Sequence, residues 1–142
     1  MKQKMIVVTG TDGSGKSTLI NSMIHTGVEA HVISVWDAMD DNLFPSKSDV
    51  DQYLCRLTSN ARLLFLAHAL HHAMVKAQSS NKTLLFNGSY YKYFASELAL
   101  GADYMLVNQL MALFPLPDLV IKLEVDYDTA FKRKQSLSSY EC

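Results

Sequence analysis

Short apolar runs alternate with longer amphipathic stretches along the chain. Four apolar runs are predicted to be strands; they lie at residues 5–9, 31–36, 82–87 and 118–125. The first is continuously apolar and β-branched, which is typical of a strand buried on both faces of a parallel sheet. The stretches between them repeat apolar residues at helical spacing. This alternation predicts an α/β fold, in which helices cover both faces of a parallel sheet.

The helical stretches are predicted at residues 16–26, 48–79, 91–114 and 127–135. Gly27 occupies the position that glycine favours after a helix, and Ser48 and Asp126 are expected to be N-caps. The stretch that begins at Ser48 is either unbroken or divided near residues 58–60. Gly101 is expected to bend or divide the third stretch.

Two segments suggest a role beyond secondary structure. Residues 37–48 are polar and follow the second strand, at the edge where open α/β sheets bind ligands, so we interpret them as a candidate substrate flap. Residues 61–74 are apolar on nearly every face, with Arg62 as their only permanent charge. We therefore expect this helix to be central or to lie in a homodimer interface.

A glycine-rich segment joins the first strand to the first helix. Residues 10–17 are Gly-Thr-Asp-Gly-Ser-Gly-Lys-Ser, which fits the P-loop pattern G-x-x-x-x-G-K-[ST]. Such a loop directs successive backbone N–H groups at a polyphosphate, at the positive end of the following helix. The predicted fold is therefore a P-loop NTPase-type three-layer sandwich, with the strand before the loop in a central position.

The motif gives its residues candidate roles. Lys16 is predicted to reach the β- and γ-phosphates, and Ser17 to hold Mg²⁺. Asp12 would repel a triphosphate if it pointed inward, so it either points outward, to an acceptor hydroxyl or a cation, or belongs to a plain Asp-Gly turn. The predicted catalytic residues are Lys16 and Asp12, and the predicted cofactors are ATP and Mg²⁺. The predicted nucleotide-binding residues are Gly10, Gly13, Ser14, Gly15, Lys16, Ser17 and Thr18.

Three further groups of residues have two interpretations each. They are the histidines His68 and His72, the arginines Arg56 and Arg62, and the tyrosines Tyr90, Tyr91 and Tyr93. The histidines have the spacing of a two-ligand metal site, but a structural role is favoured because no carboxylate or cysteine joins the pattern. The arginines either bind an acceptor phosphate or face solvent, and the tyrosines either stack on a base or belong to the core. The second interpretation is favoured in both cases.

Composition narrows the partners and the compartment. A chain of 142 residues with a formal net charge of −1 is expected to be one domain, with no electrostatic reason to bind nucleic acid or an anionic membrane. Its two cysteines, Cys55 and Cys142, form neither a disulfide framework nor a metal motif. No apolar run is long enough to cross a bilayer. We therefore expect the protein to be located in the cytoplasm.

The loop and several later segments resemble the thymidylate kinases. The resemblance rests on the P-loop at residues 9–19, the long helix at 64–67, the fourth strand at 117–125 and the last helix at 128–133. It implies phosphoryl transfer from ATP to a nucleoside monophosphate, in which positioning and charge neutralisation carry the rate.

The chain departs from the pattern of that family at several positions. Asn87 and Gly88 stand where thymidylate kinases end the third strand with Asp-Arg, and residues 68–69, His-Ala, replace another Asp-Arg pair. The Arg-Glu-Pro segment of the family matches only loosely the region of Trp36. Because these differences remove a carboxylate near Mg²⁺ and several substrate arginines, they argue against thymidine monophosphate as the acceptor.

The resemblance also implies a basic lid, a fifth strand and an adenine loop, for which no counterpart follows Arg133. We therefore expect residues 1–142 to form one shortened domain in which the fourth strand is an edge. Two other functions stay open at this point. One is a non-catalytic nucleotide-binding or dimerisation module, or a truncated inactive kinase, and the other is a P-loop kinase for a small metabolite such as a sugar acid.

Overall fold

The computed structural model describes residues 2–38, 44–88 and 90–133. The strands are β1 (Met5–Gly10), β2 (Ala30–Ile33), β3 (Thr83–Asn87) and β4 (Leu119–Leu123). The helices are α1 (Lys16–His25), α2 (Lys47–Cys55), α3 (Ser59–Gln78), α4 (Tyr90–Ala99), α5 (Tyr104–Met111) and α6 (Tyr127–Arg133), with a 3-10 helix at Val35–Ala38. Strands and helices alternate, which confirms the predicted α/β class.

The strands form a parallel sheet in the order β2-β3-β1-β4. On one side β1 pairs with β3, with Met5 opposite Leu84, and on the other side it pairs with β4, with Ile6 opposite Leu119. The strand before the glycine-rich loop is therefore central, as predicted. Among the described residues β4 is an edge strand, and about half of the surface of Leu119 is exposed.

Side chains alternate between the two faces of the sheet. Val7 and Phe86 belong to a large cluster that includes α3, α4 and α5, whereas Val8 and Leu85 pack against Ile20 of α1 in a smaller one. Both faces of β1 and β3 are thus covered, which explains why their sequences are apolar without alternation. The result is the predicted three-layer sandwich.

Helix α3 lies at the centre of the larger cluster. Its buried residues are Leu63, Leu66, Ala67, Ala69, Leu70, Ala73, Met74 and Ala77. Four of its other residues are exposed and form a stripe at helical spacing: Leu64, His68, His72 and Val75. Most of the apolar surface predicted for residues 61–74 is therefore buried within this chain.

A buried ion pair joins α3 to α4. The Nε of Arg62 donates to both carboxylate oxygens of Glu97, at 3.0 and 3.1 Å, and another guanidinium nitrogen donates to the Leu57 carbonyl at 2.7 Å. Glu97 is only 2% exposed. Both interpretations of Arg62 from the sequence are therefore wrong, because its guanidinium neither faces solvent nor lies free for an acceptor phosphate.

Two element boundaries differ from the sequence-based expectation. The second strand ends at Ile33 and a 3-10 turn follows, because the carboxylate of Asp37 accepts the Ser34 N–H at 2.6 Å. The cap of α2 is Ser46 and not Ser48; its hydroxyl accepts the Asp49 N–H at 3.2 Å. Local side-chain bonds of this kind leave no trace in the hydrophobic pattern.

The two long helical stretches are both divided. Thr58 caps α3 by accepting the Ala61 N–H, so α2 and α3 are separate helices. Gly101, with φ of +101°, separates α4 from α5, whose cap is Asp103. The break near residues 58–60 and the division at Gly101 are thus confirmed.

Parts of two predicted segments lie outside the described residues. They are positions 39–43 of the candidate substrate flap and positions 134–135 of the last predicted helix. Within the described ranges, none of the helices combines the length and the apolar character needed to span a bilayer.

Replacing Arg62 by Ala should lower the free energy of unfolding by about 3–5 kcal/mol, because the carboxylate of Glu97 would stay buried without its counter-charge. Urea denaturation followed by circular dichroism measures the loss. Lys122→Ala, which removes an exposed partner of Glu124, should leave stability nearly unchanged. The double variant Arg62→Leu, Glu97→Leu should recover much of the loss, and an unaltered Arg62→Ala variant would contradict the role given to this pair.

Candidate active site

A cleft of about 730 Å³ opens at the carboxyl edge of the sheet, within the size range of small-molecule sites. Parallel α/β sheets bind ligands at this edge. Its walls come from the glycine-rich loop, the starts of α1, α2 and α4, the ends of β3 and α6, and the segment after β2. The described lining residues are Asp12, Gly13, Gly15, Lys16, Ser17, Thr18, Ser34, Trp36, Lys47, Asn87, Gly88, Lys92, Tyr93 and Arg133.

The loop needs its glycines for two physical reasons. A Cβ at Gly10 would lie 2.7 Å from the Leu123 carbonyl oxygen, and a Cβ at Gly13 would lie 2.3 Å from that of Ala130. Gly15 has open space around it, but its φ of +98° lies in the left-handed region. The loop is therefore held against β4 and α6 on one side and is open on the other.

The open side of the loop presents polar groups suited to an anion. Helix α1 begins at Lys16, and no side chain of the described residues caps its first turn. The hydroxyl of Ser14 is buried and has no hydrogen-bond partner in the described part of the chain. Backbone N–H groups at a helix N-terminus and an orphaned hydroxyl are what a bound phosphate would satisfy. These residues thus fit the polyphosphate of a nucleotide.

Lys16 lies folded over this loop. Its Nζ donates to the carbonyl oxygens of Gly10 and Thr11, both at 3.0 Å, and lies 3.7 Å from the Asp12 carboxylate. The ammonium group is therefore held at the mouth of the phosphate cradle, and a bound phosphate would compete with the two carbonyl groups for it.

Ser17, the predicted Mg²⁺ ligand, contacts the end of β3. Its hydroxyl accepts a hydrogen bond from Nδ2 of Asn87 at 3.2 Å. The neighbouring Gly88 has a φ of +79°, a conformation that disfavours any larger side chain. The structure thus places the end of β3 beside Ser17, the predicted metal ligand. At this end Asn87 presents an amide, where the resemblance implies a carboxylate.

Asp12 contacts two cations of the protein itself. Its Oδ1 lies against the ammonium groups of Lys92, from α4, and Lys16. The carboxylate is 40% exposed and faces the cleft. Of the alternatives considered for Asp12, the structure shows contact with cations, those of Lys16 and Lys92.

Two lysines of the cleft, Lys47 and Lys92, were not among the residues predicted from the sequence. Lys92 is the only charged residue in the tyrosine-rich run after β3, and Lys47 lies in the first turn of α2, where the helix dipole disfavours a cation. The Nζ of Lys47 lies 5.0 Å from the centre of the Trp36 ring. A cation placed against the helix dipole was the one available sign of a role for Lys47.

The helix α6 closes one end of the cleft. Asp126 caps it, accepting the N–H and the hydroxyl of Thr129 at 2.7 and 2.8 Å, and these bonds hold the pKa of the Asp126 carboxyl below its usual value. At the other end of α6, Arg133 reaches within 3.5 Å of the Gly13 carbonyl. The cap thus helps to fix the helix that packs against the loop.

The three candidate tyrosines have different places. Tyr90 is buried, stacks on Phe114 at 4.4 Å between ring centres and donates to the Pro115 carbonyl at 3.1 Å. Burial raises the pKa of Tyr90 well above its ordinary value, and a hydrogen bond with Tyr91 adds to the shift. The core interpretation therefore holds for Tyr90, and Tyr91 and Tyr93 are partly buried against the same core. Tyr93 borders the cleft as well.

The two candidate histidines lie away from the cleft, on the exposed stripe of α3. The rings of His68 and His72 stack with 6.2 Å between their centres. No group of three metal-ligating side chains occurs among the described residues.

Comparison with known proteins shows what this arrangement resembles. No protein-family model matches the chain. The chain is 28% identical over 139 residues to the probable thymidylate kinase 1 of Saccharolobus solfataricus. The matched region covers 92% of this chain and 70% of that protein. The chain is also 29% identical over 133 residues to the probable thymidylate kinase of Metallosphaera sedula. This second match covers 91% of the chain and 64% of the relative.

Solved structures share the fold. The thymidylate kinase of Ehrlichia chaffeensis superposes with a TM-score of 0.65 at 22% identity, over 94% of this chain and 77% of that one. The enzyme of Candida albicans gives 0.64 at 19% identity, over 94% and 68%. The sheet, its flanking helices and the loop after β1 define a protein of the P-loop kinase fold. Within that class the chain is thymidylate kinase-like, and the resemblance inferred from its motifs is confirmed.

Replacing Gly13 by Ala should destabilise the protein more than replacing Gly27 by Ala. Both glycines have positive φ, but only at Gly13 does the new Cβ meet a carbonyl oxygen, that of Ala130. Gly27→Ala carries the backbone strain alone, about 1–2 kcal/mol, whereas Gly13→Ala must also displace α6 from the loop. Urea denaturation of both variants measures the difference, and equal losses would show that the loop and α6 do not pack as described.

Proposed function

We propose that the chain catalyses phosphoryl transfer from ATP to a nucleoside monophosphate. The observation that carries the proposal is the phosphate cradle at the end of β1, with the uncapped start of α1, the orphaned hydroxyl of Ser14 and the ammonium of Lys16 around it. The cleft beside the cradle extends to Trp36 and Tyr93, which leaves room for a second substrate. The relatives compared above bear the name thymidylate kinase, and none of them supports the non-catalytic alternative.

The donor side of the proposal assigns ATP to the loop. Its phosphates would accept hydrogen bonds from the backbone N–H groups between Gly13 and Thr18. Lys16 would exchange its two carbonyl partners for the β- and γ-phosphates. The hydroxyl of Ser17 would be a ligand of Mg²⁺, which neutralises charge on the phosphates when bound. Asn87 would orient that hydroxyl through the hydrogen bond that it already donates.

The acceptor side lies between Asp12 and the walls formed by α4 and the 3-10 helix. Asp12 would position the acceptor, and the rings of Trp36 and Tyr93 offer faces on which a base can stack. With Asn87 and Gly88 in place of Asp-Arg, the proposal covers nucleoside monophosphates as a class and does not single out thymidine monophosphate. We also propose that the chain acts as one domain in the cytoplasm, without nucleic acid or membrane as partner.

Lys16→Ala should abolish measurable binding of Mg²⁺–ATP in calorimetry and lower phosphoryl transfer by about 100-fold or more, because the variant loses the cation that neutralises the transferred group. A coupled assay with the common nucleoside monophosphates measures the transfer. Lys76→Ala, on the far end of α3, is the control and should bind and react as the wild type does. Transfer that survives intact in Lys16→Ala would contradict the proposed site.

We further propose a homodimer across the exposed stripe of α3. The core of this chain leaves Leu64 and Val75 about half exposed, with the stacked rings of His68 and His72 between them. A stripe of two aliphatic and two imidazole side chains on a helix that is largely buried suits packing against a second copy of itself.

Leu64→Glu should shift the wild-type dimer to a monomer in sedimentation velocity at micromolar concentration, because two copies would bring the new charges together. Leu116→Glu, at a side chain that is 81% exposed in the segment between α5 and β4, is the matched control and should leave the dimer intact. A wild type that sediments as a monomer at this concentration would show that the stripe has no such partner.

A further inference from the structure

The cleft has more cationic side chains than the P-loop motif assigns to a donor nucleotide. Among its described lining residues the cations are Lys16, Lys47, Lys92 and Arg133, and the only carboxylate is that of Asp12. The P-loop uses one of these lysines for the donor. Of the other three cations, Arg133 lies against the loop at Gly13, whereas Lys47 and Lys92 come from the first turns of α2 and α4, where a second anion would lie.

Lys92 is the cation closest to the loop on that side. It reaches Asp12 across 80 positions of sequence, and Lys16 lies against the same carboxylate oxygen. Within the described residues of the cleft, two ammonium groups lie against this one carboxylate, so an added anion between them is favoured electrostatically. The phosphate of an acceptor would lie there, beside the γ-phosphate held by Lys16.

The helix that carries Lys92 is firmly placed. Its first residue, Tyr90, is buried against Phe114 and bonded to the Pro115 carbonyl, and Glu97 is paired with Arg62. Lys92 itself is 25% exposed, and its Nζ lies 5.7 Å from the centre of the Tyr93 ring. A fixed backbone with a partly exposed ammonium is suited to binding an anion with little rearrangement.

We propose that Lys92 binds the phosphate of the acceptor, exchanging its ion pair with Asp12 for that phosphate. This inference rests on the proposed function and names the residue that makes the site selective for a phosphorylated acceptor over a free nucleoside. Asn87 and Gly88 carry no charge, so the end of β3 offers no cation to the acceptor. Lys92 supplies that positive charge from α4, the helix that follows β3. Once Lys92 has exchanged partners, the carboxylate of Asp12, still beside Lys16, faces the acceptor.

The test is calorimetric binding of the four common deoxynucleoside monophosphates, of thymidine and of Mg²⁺–ATP to the wild type and to Lys92→Met. The variant should bind the preferred monophosphate about 10- to 100-fold more weakly, as expected for loss of a charge-assisted hydrogen bond. Affinity for ATP and for thymidine should change less than about 3-fold, since neither interaction uses Lys92. Lys92→Arg should restore most of the monophosphate affinity.

Two controls separate this contact from a general effect of charge. Lys47→Met removes a cation from the opposite wall, and Lys122→Met removes an exposed lysine outside the cleft. The inference is overturned if no monophosphate binds the wild type, if Lys92→Met binds it unchanged, or if Lys47→Met weakens it equally. Equal weakening of ATP and monophosphate by Lys92→Met would also overturn it. A wild type that binds monophosphates through Lys92 but transfers no phosphoryl group would support the inference and refute the proposed function.

Discussion

The pairing of β1 on both of its edges is the constraint on which the site depends. Because β3 and β4 hold this strand in register, the chain leaves the sheet at Gly10 in a fixed direction, with Leu123 and Ala130 too close for any side chain at Gly10 or Gly13. The loop must then turn through left-handed glycines, and that turn aims the start of α1 at the cleft. Sheet register thus determines where a phosphate is bound.

The electrostatics of the cleft follow from which elements end at this edge. The loop contributes Lys16 and Asp12, whereas Lys47 and Lys92 come from the first turns of α2 and α4. A first turn already carries the positive end of a helix dipole, so cations there reinforce the potential that favours anions. This arrangement costs some helix stability, and the contacts of Lys47 with the Trp36 ring and of Lys92 with Asp12 offset part of it.

The features that depend on local sequence pattern could be predicted, whereas the contacts that depend on how helices pack against one another could not. Strands buried on both faces and the glycine-lysine loop have signatures within a few residues, so the fold class, the central strand and the phosphate cradle were predictable. The pairing of Arg62 with Glu97 spans 35 positions, and the contact of Lys92 with Asp12 spans 80. Such contacts depend on how α4 packs against its neighbours, which no single-sequence periodicity specifies. The turn after β2 escaped prediction because one carboxylate, that of Asp37, ends the strand.

The protonated phenol of Tyr90 helps to hold one wall of the cleft in alkaline solution. An exposed tyrosine ionises near pH 10, but burial keeps the proton on Tyr90, and with it the bond to the Pro115 carbonyl. Since the unfolded chain releases this proton more readily, the contribution of Tyr90 to stability is complete below about pH 10 and declines above it. As the pH rises, the fraction of folded molecules should therefore fall, while α4 keeps its hydrogen bond to the Pro115 carbonyl in each molecule that is still folded. Alkaline loss of the wall that carries Lys92 would then be cooperative unfolding and not a gradual loosening of the cleft.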